Sequence, residues 1–149
     1  MSNENTLPFD ILLVEDEPAD AHLVRTSINE CKFHCNLHHV GDGLDALAFL
    51  RREGERYKNV PRPDLILLDL NMPRMNGREF LVAIKADDNL AGIPVAVLTT
   101  SGVERDVEMV YKLGASGFIS KPIDMVQFTE SIRQLVGYWL KLTRLPKKA

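Results

Sequence analysis

Three runs of uninterrupted apolar residues, ILLV in Ile11–Val14, LILL in Leu65–Leu68 and VAVL in Val95–Leu98, restrict this chain more than any other feature. A strand with one wet face alternates apolar and polar residues. A strand that is apolar at every position has to be covered on both faces. The segments between the runs can supply that cover, because they carry apolar residues at helical spacing. The repeated strand–helix alternation therefore predicts an α/β fold, with an open parallel sheet between two layers of helices.

The elements follow from local signals. FDILLV (Phe9–Val14), DLILLDL (Asp64–Leu70) and IPVAVLTT (Ile93–Thr100) read as buried strands, CNLHHV (Cys35–Val40) as a weaker one, and SGFIS (Ser116–Ser120) as a fifth. A first helix runs from Pro18 to Cys31, with Pro18 in its first turn and Ala21, Val24, Ile28 and Cys31 on one face. Leu44, Leu47 and Ala48 mark a second helix that ends near Gly54, and the polar, proline-bearing stretch Glu55–Pro63 reads as a loop. Asn76 with Glu79, Ser101 with Glu104 and Asp124 with Gln127 have the spacing of an N-cap and its return partner. The first pair opens a helix through Phe80 and Ile84. The second opens one through Val107, Val110 and Tyr111, which Gly114 closes. The third opens the last helix, with Phe128, Ile132, Leu135 and Trp139 on its buried face. Five strands and five helices result.

In an open α/β sheet, chemistry collects beyond the carboxyl ends of the strands. Those ends carry Glu15, Asp16 and Glu17 after the first strand, Asp69 and Asn71 at the third, Thr99, Thr100 and Ser101 at the fourth, and Lys121–Pro122 after the fifth. Gly41–Asp42, after the second, is ordinary turn material. Carboxylates crowded at one edge repel one another, and a divalent cation removes the conflict. Magnesium prefers such hard oxygen ligands and can clamp a phosphoryl group. Beside it, an ionised carboxylate such as Asp69 can attack phosphorus and form an aspartyl phosphate, with Lys121 and Thr99 placed to bond the phosphoryl oxygens. Taken singly, each residue has a plainer explanation: helix N-terminal acids, strand-end threonines, a surface lysine, a capping aspartate. Their coincidence at one sheet edge favours the chemical reading.

VEDEPAD, LILLDLNMP, VLTTS and ISKPID, in this order and at these intervals, resemble the receiver domain of two-component response regulators, over Phe9 to Tyr138. The resemblance implies a flavodoxin-like, doubly wound sheet in the order 2-1-3-4-5. It also implies roles. Asp69 is the phosphoacceptor, and Asp16 is a direct Mg2+ ligand. Glu15 acts on the ion through water, and Asn71 offers it a backbone carbonyl. Thr99 and Lys121 bond the phosphoryl group, and Thr99 and Phe118 are the switch pair. Phe118 stands where receivers often carry Tyr, so a contact that needs the hydroxyl is not expected. A cis Lys121–Pro122 bond is implied as well. Asn71 and Ser101, neither a strong base, flank the position of the attacking water, so slow hydrolysis of the phosphate is expected. The function implied is that of a signalling switch fed by a histidine kinase, and not an enzyme with turnover. The alternative is a non-phosphorylated receiver-like interaction module, which would be expected to lack the acidic pair, Asp69 or Lys121.

The remaining residues narrow the expectation. The chain divides into a tail (1–8), the receiver (9–138) and an arm (139–149) with no output domain. Trp139, Leu142 and Leu145 of the arm are too apolar to be left in water and suggest a homodimer contact, the alternative being that the arm folds back on its own domain. The YWL…LP ending, RPDLILLDLNMP and the long Glu55–Pro63 stretch are similar to response regulators paired with bacterial and cyanobacterial phytochromes, so a phytochrome-type sensor kinase is the expected partner. The formal net charge of −3 argues against a nucleic-acid surface. No apolar run approaches the roughly eighteen residues of a membrane span, and the start has no signal-peptide pattern, so a cytoplasmic location is expected. Cys31 and Cys35 are then free thiols. With His34, His38 and His39 they fit no standard zinc spacing, and along a strand His38 and His39 point to opposite faces. A flavodoxin-type cofactor loop would be rich in Gly, Ser and Thr, where this chain has EDEPAD. An aspartate phosphohydrolase typically has a second aspartate where this chain has Asn71.

Overall fold

In the computed structural model the described residues are 9–29, 35–70, 72, 74–99, 104–120 and 125–138. They form β1 (Phe9–Val14), α1 (Pro18–Asn29), β2 (Cys35–Val40), α2 (Gly43–Leu50), α3 (Gly54–Tyr57), β3 (Leu65–Asp69), α4 (Gly77–Lys85), β4 (Val95–Thr99), α5 (Glu104–Lys112), β5 (Gly117–Ser120) and α6 (Met125–Gly137). The five strands make one sheet in the order β2-β1-β3-β4-β5, and every neighbouring pair is parallel.

The apolar runs are buried because successive side chains enter two different cores. Leu12, Val14, Ile66, Leu68, Val95 and Val97 pack on one face with Phe49 of α2, Phe80 and Ile84 of α4 and Val110 of α5. Ile11, Leu13, Leu65, Leu67, Ala96 and Leu98 pack on the other with Val24 and Ile28 of α1 and Phe128, Ile132 and Val136 of α6. Each fully buried Leu or Ile contributes about 1.5–3 kcal/mol relative to exposure. On the second face the buried Ser27 hydroxyl donates to the Leu23 carbonyl at 2.8 Å and lies 3.2 Å from the Thr129 hydroxyl, joining α1 to α6. The edge strand β2 is covered less completely, which is why its sequence is more polar.

The expectation of five helices needs correction. Among the described residues there are six, because a single turn, α3, starts at Gly54 and runs into the stretch read as loop. Arg52, in left-handed backbone at φ 54°, ends α2 with the Glu53 N–H donating to the Ala48 carbonyl at 2.9 Å. The chain then turns back and drives Tyr57 into the core, its ring 5.5 Å from that of Phe49. No side chain caps this turn; burial of Tyr57 holds it. Two apolar markers also point away from the core. Leu44 is 45% exposed because it lies in the first turn of α2, and Tyr111 is 48% exposed because it sits one position past the buried Val110 stripe. Val136, not singled out from the sequence, is buried. The capping box of Asn76 and Glu79 is present in full, and Gly114 closes α5 at φ 103°. Cys31, His34, Ser101, Asp124, the Lys121–Pro122 bond and the arm with Trp139, Leu142 and Leu145 lie outside the described residues.

Candidate metal centre and phosphoacceptor site

The site begins with strand register. Val14 pairs with Leu68, so Glu15 and Asp69 are the next residues on two adjacent central strands. The end of β1 is tied on its other side to β2: the Glu15 N–H donates to the Val40 carbonyl at 3.1 Å, and the His39 ring nitrogen Nε2 lies 2.7 Å from the Glu15 carbonyl. Glu15 is 1% exposed and Asp69 6%, whereas Asp16 is open to solvent. Carboxylate oxygens of Glu15, Asp16 and Asp69 all lie within 4.8 Å of one another. Three hard oxygen donors at that separation suit a magnesium-type cation.

The third acid of the run does something else. The Glu17 carboxylate accepts from the Ala19 N–H at 3.2 Å, and Glu15 Oε2 accepts from the Glu17 N–H at 3.2 Å. Glu17 therefore caps α1, and the explanation as helix N-terminal acid holds for it. His38 and His39 stay out of the carboxylate group. The first lies 3.2 Å from Asp10 at the far end of the sheet, and the second braces the Glu15 backbone.

Phe118 pairs with Val97 across β4 and β5 and packs partly buried against the core beneath α4 and α5. Thr99 ends β4 one residue beyond Leu98, the partner of Asp69, so its backbone stands at the same sheet edge. Its side chain, Asn71 and Lys121 lie outside what the structure describes.

Sequence reasoning missed the frame around Asp69. Gly77 opens α4 directly against β3, and a Cβ there would come within 2.6 Å of the Asp69 carbonyl oxygen and 2.7 Å of Leu70 Cα. The Gly77 N–H donates to the Leu70 carbonyl at 2.9 Å. Asp42, read as turn material, is buried and caps α2 by accepting from the Asp45 N–H at 2.9 Å. Its second oxygen accepts from Arg74 Nε at 2.6 Å. Burial pushes the Asp42 carboxyl up, but Arg74 and the Asp45 N–H outweigh it and hold it below its ordinary value. The extended residue just before a helix was the available signal for Asp42. Nothing in the sequence announces Arg74.

A parallel five-stranded sheet with an acidic group at the ends of its two central strands defines a receiver-type signalling domain. Residues 11–133 match the response regulator receiver domain, and the chain belongs to that family, whose members act in two-component signalling. It is 42% identical to the response regulator Rcp1 of Synechocystis sp., over 98% of this chain and 99% of that protein. Among solved structures, the phosphorylated cyanobacterial phytochrome response regulator RcpA superposes with a TM-score of 0.89 at 40% identity, covering 95% of this chain and all (100%) of that one. The Mn2+-bound form of Rcp1 gives 0.87 at 41% identity, over 94% and 100% of the two chains.

Proposed function

We propose that this chain is a phosphoacceptor switch in which Asp69 takes a phosphoryl group from a histidine kinase. The observation that carries the reading is the buried Asp69 carboxylate within 4.8 Å of the Glu15 and Asp16 oxygens at the sheet edge. A carboxylate oxygen of Asp69 forms a bond to phosphorus as the bond from phosphorus to the donor nitrogen breaks, and the donor ring, protonated from solvent on its other nitrogen, leaves as neutral imidazole on the kinase. Asp69 needs no base, because it reacts as the anion. Asp16 would hold Mg2+ directly, Glu15 through water and Asn71 through its carbonyl. Bound there, the ion screens the negative charge that otherwise keeps a phosphoryl group away from three carboxylates. Lys121 and Thr99 bond the phosphoryl oxygens, and Thr99 moves with Phe118 as the switch.

Relatives described as phosphorylated and as Mn2+-bound support the chemistry, and the phytochrome response regulators among them support a phytochrome-type sensor kinase as donor. No described helix is long and apolar enough to cross a membrane, which accords with work in the cytoplasm. The apolar arm residues Trp139, Leu142 and Leu145 would contact a second copy in a symmetric homodimer. The decisive test is incubation with acetyl phosphate and Mg2+ followed by intact mass. The wild type gains one phosphoryl group and Asp69→Asn gains none. An unlabelled wild type would mean a non-phosphorylated interaction module instead. Phosphotransfer profiling against sensor kinases then identifies the donor.

A further inference from the structure

We propose that Arg74 and Asp42 form a latch that positions the loop after Asp69, and through it the cation site. The inference rests on the phosphoacceptor reading above. The loop leaves β3 at Leu70 and returns at Gly77, where the N–H to carbonyl bond of 2.9 Å closes its base. At its crest it is tied sideways to α2. Arg74 Nε donates to Asp42 Oδ2 at 2.6 Å, Arg74 Nη2 lies 3.5 Å from Asp45 Oδ1, and the Gly43 N–H donates to the Met75 carbonyl at 3.2 Å. A Cβ on Gly43 would come within 2.7 Å of the Met75 side chain, so the two backbones need the missing side chain to meet. Arg74 itself sits in left-handed backbone at φ 60°, a conformation that a residue with a side chain adopts when its surroundings impose it.

Asp42 is suited to the task because its oxygens are divided. Oδ1 holds the first turn of α2 through the Asp45 N–H, and Oδ2 holds Arg74. Any movement of the loop crest is thereby referred to a helix packed on the sheet. Leu70 and Arg74, four positions apart in sequence, are thus both anchored. Position 71 is Asn71, whose carbonyl the proposed site uses. Groups that orient the ligands of a metal without touching it set its affinity, commonly by tenfold or more. Arg74 is thus a positioning residue, acting through Asp42 and the loop.

Calorimetric titration with Mg2+ alone tests this. Arg74→Gln and Asp42→Asn are each expected to weaken binding roughly tenfold. Asn still caps a helix, so the second variant removes the charge of the latch while α2 stays capped. The double variant should be no weaker than either single one, because both remove the same contact. Arg74→Lys, which keeps one charged bond to Asp42, should recover part of the loss. Exchange of the Gly43 amide hydrogen should speed up in Arg74→Gln, a local change that general destabilisation would not confine to that amide. A wild type that binds Mg2+ beside an Arg74→Gln variant with the same affinity overturns the latch and leaves the phosphoacceptor reading standing. A wild type that neither binds Mg2+ nor accepts phosphate from acetyl phosphate overturns both.

Discussion

Asp69 and Gly77 show how closely the backbone constrains the site. Asp69→Asn should abolish labelling by acetyl phosphate while leaving the melting temperature near that of wild type, since an amide is a poor nucleophile of the same shape. Gly77→Ala would set a methyl group against the Asp69 carbonyl and Leu70. It should destabilise the fold by about 1–3 kcal/mol in urea denaturation. Asp42 supplies a pH dependence. Its carboxyl is held below the ordinary 3.8 when folded, so the unfolded chain binds the proton more readily. Its stabilising contribution is complete above the unfolded value and is lost as pH falls through the folded one. The stability difference between wild type and Asp42→Asn should stay level from about pH 7 to about pH 5 and narrow below about pH 4. The carboxylates of the centre were legible in the sequence because each follows an apolar strand. Arg74 was not, because its role depends on a chain reversal that brings residues 74 and 42 together across two elements.

At the scale of elements, legibility followed the strength of local chemistry. Asn76 and Glu79 announce α4 through a reciprocal cap that needs no tertiary information, and the box formed as read. Asn76→Ala should therefore cost about 1 kcal/mol in chemical denaturation, whereas Asn76→Asp should cost little. The identity of β1, β3 and β4 was equally plain, because two-sided burial leaves an unbroken apolar run, whereas the more polar β2 read as a weaker strand. The order of the strands was not contained in those runs and came from the family likeness. The turn α3 escaped because it has no cap, and because prolines at 61 and 63 suggest loop throughout. What orders it is Tyr57 meeting Phe49, a contact between residues whose proximity becomes apparent after folding. The helix surfaces were read less well than the helices. Leu44 and Tyr111 are apolar yet exposed, because a helix covers the sheet with a stripe and residues beside that stripe are free to vary.

For the molecule as a whole, ligand and assembly are the levers. Mg2+ at about a hundred times its dissociation constant should raise stability by about 2.7 kcal/mol, seen as a higher melting temperature. Asp16→Asn should lose that gain. Without metal the same variant should melt no lower than wild type, since one of three neighbouring carboxylates has lost its charge. Light scattering on a chain truncated before Trp139 tests the proposed homodimer: the full chain should run as a dimer and the truncated one as a monomer, and equal oligomeric states would remove the arm from the interface.

At the end of the sheet opposite the acids, the Asp10 N–H donates to the Asp64 carboxylate at 2.9 Å and the Asp64 N–H to the Asp10 carbonyl at 2.7 Å. These bonds start the β1–β3 pairing between residues 54 apart in sequence. A pairing of that span forms slowly, because a long loop must close before any contact rewards it. Until it forms, Glu15 and Asp69 are strangers on the chain. A polypeptide still emerging from the ribosome, before Asp64 and its strand are free to dock, thus lacks the assembled acidic group, and under the proposed function the capacity to be phosphorylated would be gained in the same event as the central strand pair.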